Sequence, residues 1–239
     1  MSRILRVCQF GAELQSYTAA FDLQKALAAW RKTDDGVDTL LQLQHPPLYT
    51  VGKRGKDDHF KVPAEEIERR GFSIHKIDRG GEVTYHGPGQ IVMYPIVHLR
   101  QLKLGARAYV EGLEDVMVRM SGIYGISARG QVPGRTGVWI GDKKIGAVGV
   151  RISQAVSTHG ICFNVSTSLS HYDAIVPCGQ KDKEVTSLER ELDQTVDFKK
   201  AENQLVEVFA ERFKYDSVEA VSASGLRTSV PGCQAGNST

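Results

Sequence analysis

The sequence has no apolar run approaching the ~20 residues that cross a bilayer, which excludes a membrane-spanning helix. It also has almost no charge imbalance. Thirty lysines and arginines stand against 28 acids, a net +2 that excludes nucleic-acid binding by bulk electrostatics. Cysteine is scarce: Cys8, Cys162, Cys178 and Cys233 form no CxxC pair. A chain of 239 residues can bury a core without disulfide staples, so free thiols and a reducing, intracellular compartment are expected. Nucleotide signatures are missing as well. There is no GxxxxGK[ST], Gly80-Gly81 does not extend to GxGxxG, and neither HExxH nor GxSxG occurs. His159 and Cys162 have a loose metal-like spacing without a second pair, so no metal and no cofactor are expected. Arg3 and Arg6 alone are too little for a transit peptide.

What is there reads as strands in hairpins, interrupted by a few helices. Arg3 to Phe10 is a first strand; Ser16 caps a helix whose apolar face is Tyr17, Ala20, Phe21, Gln24, Leu27 and Trp30. Thr39 to Gln44 alternates as a half-buried strand does, His45-Pro46-Pro47 breaks it, and Leu48–Val51 resumes. Gly52 to Lys61 is a loop carrying Lys53, Arg54, Lys56 and Lys61, either solvated or a docking patch for an acidic protein. Further helices are expected after Pro63, over Ala108–Met120 and over Asp197–Phe213, with a hairpin over Gly137–Ile152 and a strand over Thr158–Val165. This pattern predicts an α+β fold with mixed or antiparallel sheets and flanking helices. It forms one domain over residues 1–221, and the Ser- and Gly-rich residues 222–239 read as a disordered tail.

Three features carry chemistry. Arg79 to Val97, RGGEVTYHGPGQIVMYPIV, sets a polar, imidazole-bearing strip between two glycine turns and ties it to an apolar strand, a good place to hold a ligand. Cys178 lies on a Pro-Cys-Gly turn that can present a thiol at a fixed angle; it needs a nearby cation to ionise near neutral pH. Lys143 and Lys144 are the candidate cations. Adjacent strand residues face opposite ways, so only one of the two can point inward beside Ile145. Gly146 and Gly149 interrupt that strand, as close approach of a backbone or ligand requires.

Four segments, RGGEVTYHGPGQ at 79–90, GVWIGDKKIGAVGVR at 137–151, THGICFNV at 158–165 and IVPCGQKDKEVTSL at 175–188, together resemble the lipoyl(octanoyl) transferases of lipoate biosynthesis. The resemblance implies a fold shared with biotin and lipoate protein ligases. It implies transfer of octanoyl from octanoyl-acyl carrier protein to a lysine of lipoyl domains, such as glycine cleavage H protein and 2-oxoacid dehydrogenase E2 subunits. It casts Cys178 as the nucleophile that carries the acyl thioester, and Lys144 as the group that lowers its pKa or takes its proton. It implies acyl-binding roles for Arg79, Gly80, Gly81, Glu82, Val83, Thr84, Tyr85 and His86, for Ala147, Val148 and Gly149, and for Gly160, Ile161 and Cys162; the family often has alanine at this last position. A mitochondrial matrix or a bacterial-type cytoplasm fits, and a monomer that binds neither nucleic acid nor membrane. The alternatives are an ATP-dependent lipoate or biotin protein ligase, and a non-catalytic module that binds lipoyl domains.

Overall fold

A computed structural model of the chain describes residues 2–176 and 184–231. In chain order the elements are β1 (Ile4–Leu14), α1 (Tyr17–Arg31), β2 (Thr39–Gln44), β3 (Leu48–Val51), α2 (Ala64–Arg69), β4 (Ser73–Lys76), β5 (Val83–His86) and β6 (Gln90–Ile96). They continue with α3 (Ala106–Ile123), β7 (Val138–Ile140), β8 (Lys143–Ser153), β9 (Val156–Asn164), β10 (Glu184–Val185), α4 (Leu188–Leu192), α5 (Phe198–Arg212), β11 (Ser217–Ala220) and α6 (Ala223–Ser229). The large sheet has the strand order β10-β8-β9-β6-β2-β1-β11, with β7 pairing on β8, and a three-stranded sheet has the order β4-β3-β5. Both sheets mix directions. β1 runs parallel to β2 and β11, β10 runs parallel to β8, and the β2-β6-β9-β8 stretch is antiparallel. This is the mixed α+β architecture the sequence predicts.

Helices cover the large sheet on both faces. Leu40, Ile91 and Met93 pack with Tyr109, Leu113, Met117 and Phe209 of α3 and α5. Leu41, Leu43, Val92 and Tyr94 pack with Leu23 and Leu27 of α1. Successive strand residues point to opposite faces, so Leu40 feeds one core and Leu41 the other. This corrects the half-buried reading of Thr39–Gln44: all six residues are buried, because the strand lies inside a sheet covered on both sides. The helix starts follow the sequence. Ser16 Oγ accepts from Ala19 N at 3.2 Å and Asp197 Oδ1 from Lys200 N at 3.0 Å, each satisfying a first-turn N–H that has no helical partner.

The tail reading needs correction over its first half. Ser222 caps α6, its Oγ accepting from Gly225 N at 3.0 Å. Leu226 and Val230 are buried against the α1 side of the sheet. Two apolar side chains and a cap are enough to dock about two helical turns on an existing core, which a composition dominated by Ser and Gly conceals. Residues 232–239, with Cys233, lie outside the described residues.

The small sheet with the turn at Leu169–Ala174 builds a third core around Tyr49, Tyr85, Tyr172 and Ile175. Its strand β5 and the large sheet's β8 and β9 contribute to the site described next.

Candidate active site

Between the small sheet and the β8-β9 hairpin lies a narrow slot. Arg79, Gly81, Glu82, Val83, Thr84 and His86 line one side, and Ala147, Val148, Gly149, Gly160, Ile161 and Cys162 the other. Twelve of the fourteen acyl-binding positions named from sequence therefore meet in one cavity. Gly80 lies just outside, its N–H donating to Val150 O at 2.9 Å. Tyr85 does not reach the slot. Its ring packs among Tyr49 and Tyr172, with centroids 5.6 and 5.3 Å away, and its hydroxyl bonds His171 Nδ1 at 2.7 Å. Strand alternation sends it there while Thr84 and His86 face the slot. Tyr17, Thr50, Ile77, Tyr94 and His159 also line the slot. Sequence reasoning assigned Tyr17 to a helix's apolar face, and nothing local distinguishes a helix face that meets a cavity from one that meets a core.

Glycine makes the slot possible by close approach. A Cβ on Gly149 would stand 2.8 Å from Arg79 Cδ, and one on Gly52 2.5 Å from Gly81 O. The two Gly-bearing hairpin strands also face each other there, Gly149 opposite Gly160.

Arg79 is a buried side chain whose guanidinium is held by neighbouring oxygens. Its Nη2 donates to Thr50 O and Thr50 Oγ1, both at 2.8 Å, and its Nη1 to Gly80 O at 3.0 Å. A line of hydrogen bonds continues from it. Gln90 Nε2 donates to Asn164 Oδ1 and Tyr172 Oη, each at 3.0 Å, so Gln90 Oε1 accepts from His86 Nδ1 at 2.7 Å. His86 Nε2 is thereby left to accept from Thr50 Oγ1 at 3.3 Å. Asn164 Nδ2 in turn donates to Thr186 O at 3.0 Å, and Thr186 N to Lys144 O at 2.9 Å. The slot's polar rim is thus wired to the strand that carries Lys144.

The slot histidines are neutral at physiological pH. Burial, joined by repulsion from His45, holds His86 well below the ordinary 6.5. Burial likewise pulls His45 and His159 down to about 4. His45 Nδ1 donates to Gln15 O at 2.6 Å, so its Nε2 accepts from Tyr94 Oη at 2.8 Å. Neutral rings, glycines and aliphatic side chains make most of the slot wall, which suits an uncharged chain, with Arg79 and the carboxyl group of Glu82 as the exceptions among its lining.

Beyond the shared wall of Thr84, Ala147 and Cys162 lies a second, much tighter chamber, lined also by Lys144, Asn164, Tyr172 and Val185. Lys144 is 5 % exposed. Its Nζ donates to Thr136 O at 2.8 Å and stands 5.2 Å from the centre of the Trp139 ring, a cation–π distance. Its neighbour Lys143 turns outward and pairs with Glu191. The strand alternation that allowed one inward lysine selects Lys144. The loop beneath is clamped by the buried carboxylate of Glu114, which accepts from Gln131 N at 2.7 Å and Gly137 N at 2.6 Å. Thr136 and Glu114, which hold the lysine in place, carry no signal in a single sequence. Cys178 lies outside the described residues. Cys162 is buried at the wall between the two chambers. Cys8 is buried in the α1-side core, where burial pushes its thiol up to about 11, which fits an inert structural role. Among the described residues no group of three or more His, Cys, Asp or Glu could hold a metal ion.

Gly137 is the tightest contact on Lys144. Its φ is +119°, and a Cβ there would fall 2.4 Å from Lys144 Cε and 2.9 Å from its Nζ. Gly137→Ala is expected to push the ammonium off its seat and, if Lys144 serves catalysis as the resemblance implies, to lower turnover at least about tenfold, since an ångström of misplacement can cost more than that. Steady-state transfer measured beside a thermal melt checks this. Unchanged turnover in a folded variant would mean that the lysine's position is not critical.

A slot between a mixed sheet and a small three-stranded sheet, with a buried lysine in the chamber behind its wall, is the arrangement to be compared with known catalytic domains. The chain belongs to the lipoyl protein ligase A/B catalytic-domain family, whose model matches residues 16–210. It is 45% identical over 217 residues to the mitochondrial octanoyltransferase LIP2 of Arabidopsis thaliana, covering 90% of this chain and 92% of the relative. It is 41% identical over 207 residues to an octanoyltransferase of Alkaliphilus metalliredigens, covering 86% and 94%. At this identity and coverage the chain is an acyltransferase enzyme. Its fold superposes on a lipoate-protein ligase A bound with ATP with a TM-score of 0.72, at 16% identity and over 95% of this chain and 94% of that one.

Proposed function

We propose that the chain moves octanoyl from octanoyl-acyl carrier protein to the ε-amine of a specific lysine on lipoyl domains, through a thioester on Cys178. The observation that carries this reading is the slot with a buried lysine in the chamber behind its Thr84, Ala147 and Cys162 wall, in a chain whose relatives are octanoyltransferases. Glycine cleavage H protein and 2-oxoacid dehydrogenase E2 subunits are the acceptors proposed, in a mitochondrial matrix or a bacterial-type cytoplasm. No helix among the described residues is long and apolar enough to cross a membrane.

In the first step Lys144 favours the Cys178 thiolate. The sulfur attacks the octanoyl carbonyl, the carbon–sulfur bond to the carrier arm breaks, and the carrier thiolate takes a proton from the lysine. In the second, the neutral acceptor amine attacks the acyl-enzyme, the bond to Cys178 breaks, and the amine's extra proton passes to the departing sulfur. Exchange between thioesters is nearly isoenergetic and thioester to amide is downhill, so no ATP is needed. Val83, Val148 and Ile161 line the slot for the chain. Burying its seven carbons contributes about 5–6 kcal/mol before ordering costs.

Intact mass spectrometry after incubation with octanoyl-acyl carrier protein is expected to find octanoyl on Cys178, and Cys178→Ala is expected to abolish both the adduct and transfer. Full activity in that variant would remove the mechanism. Lipoyl-domain modification from free octanoate that depends on ATP would make the chain a ligase instead.

A further inference from the structure

Beside the slot runs a second, roomier cavity of about 220 Å³, sharing Gly81, Glu82, Val148 and Gly149 with it. Its lining also includes Arg54 and Arg135, which the slot does not share. We propose that this trench binds the 4′-phosphopantetheinyl arm of the octanoyl donor, with its phosphate between Arg54 and Arg135. The inference rests on the octanoyl-transfer reading and names the part of the donor that the enzyme recognises.

A thioester with its acyl carbons in the slot must lead its other arm through adjoining space, and the trench is the cavity that shares four residues with the slot. Thr136, whose carbonyl accepts from the Lys144 ammonium, also lines it, which ties the trench to the strand segment that holds the lysine. The chemistry of the lining matches such an arm. Gly80, Gly81, Gly134 and Gly149 expose backbone without side chains, which suits an extended chain carrying two amides. Glu82 supplies an independent sign of a ligand. Its Oε2 is buried and has no hydrogen-bond partner among the described residues, a costly condition that an amide N–H of the arm would relieve.

The two arginines are placed to accept a phosphate. Arg54 is two-thirds exposed and only loosely paired, its Nε 3.8 Å from Glu82 Oε1. Arg135 is propped by Asp142, 3.0 Å from its Nη1, and by the face of Trp139, 5.8 Å from its guanidinium carbon. Arginine's planar fork suits phosphate oxygens, and a partly exposed arginine gives up little hydration to take one. Lys53 and Lys56, exposed on the same loop as Arg54, extend the positive rim outward toward an acidic carrier.

The test compares donors that differ only at the end of the arm, reading octanoylation of a lipoyl domain by intact mass. Wild-type enzyme is expected to use octanoyl-4′-phosphopantetheine with kcat/KM about tenfold above that of octanoyl-pantetheine, the scale of charge-assisted hydrogen bonds to a partly exposed phosphate. In the double variant R54A/R135A this gap is expected to close, and in R54K/R135K, which keeps both charges, most of it is expected to survive. Octanoyl-coenzyme A and octanoyl-carrier protein separate the two sources of the arm. Equal use of both supports recognition of the shared arm alone; preference for the carrier supports the arm plus the basic rim. Equal use of phosphorylated and unphosphorylated pantetheine by wild type, or a gap that persists in R54A/R135A, would overturn the proposal while leaving octanoyl transfer intact. Refusal of every thioester donor would bring down the transfer reading itself, and this inference with it.

Discussion

Lys144→Met is expected to lower octanoyl transfer by a factor of about 10² to 10⁴, the range that a positioned proton-transfer group supplies. Methionine keeps most of the buried stem and removes only the ammonium, so the effect isolates the charge. The fold should tolerate the change. Thr136 O loses one donor, a cost of about 1 kcal/mol, and the contact with the Trp139 ring persists through sulfur. Lys143→Met serves as the matched control on the same strand. Lys143 faces outward and pairs with Glu191 at a partly exposed site, an interaction of about 0–1 kcal/mol. Its loss should leave transfer within about twofold. Rates of acyl-enzyme formation and of transfer to a lipoyl domain, measured separately for both variants, decide the matter. If Lys144→Met kept more than a third of wild-type activity, another group would have to be managing the thiol proton.

Gly160→Ala is expected to destabilise the fold by at least about 2 kcal/mol, as overpacking a closed site does. A Cβ at this position would stand 2.1 Å from Met93 O and 2.5 Å from Pro95 Cδ. Neither can swing aside, because both belong to β6, which is paired on both of its edges inside the sheet. Relief has to come from moving β9 away from β6, and β9 carries Ile161 and Cys162 into the slot. The melting temperature should fall by roughly 4–8 °C, and the apparent affinity for an octanoyl donor should weaken with it. A variant that melts with wild type and binds octanoyl normally would show that the sheet yields at this point at no cost.

Much of this was readable along the chain. Ser16 and Asp197 announce helix starts because a cap is a local event, a side chain reaching a backbone N–H three residues on. The β7–β8 hairpin is legible because Gly141, at φ +58°, makes the turn that the flanking apolar runs require. Leu41 and Leu43 show where local reading fails. Their alternation with polar neighbours reads as one buried face, and only a sheet covered by helices on both sides explains why Gln42 and Thr39 are buried too. Gln42 finds its partners at a distance of sequence no local pattern can span, in Gln9 and in the backbone of Glu202.

The sequence by itself determined the alternation of side chains on the Lys143–Lys144 strand, the caps and turns, and the residue types able to hold an acyl chain beside a lysine, since each depends on neighbours within a few positions. The tertiary structure alone decided which of the two lysines is inside, that Tyr85 leaves the slot while Tyr17 enters it, and that Glu114 steadies the loop holding Lys144. Those outcomes depend on contacts between segments far apart in the chain, whose meeting is set by how two sheets and their helices pack.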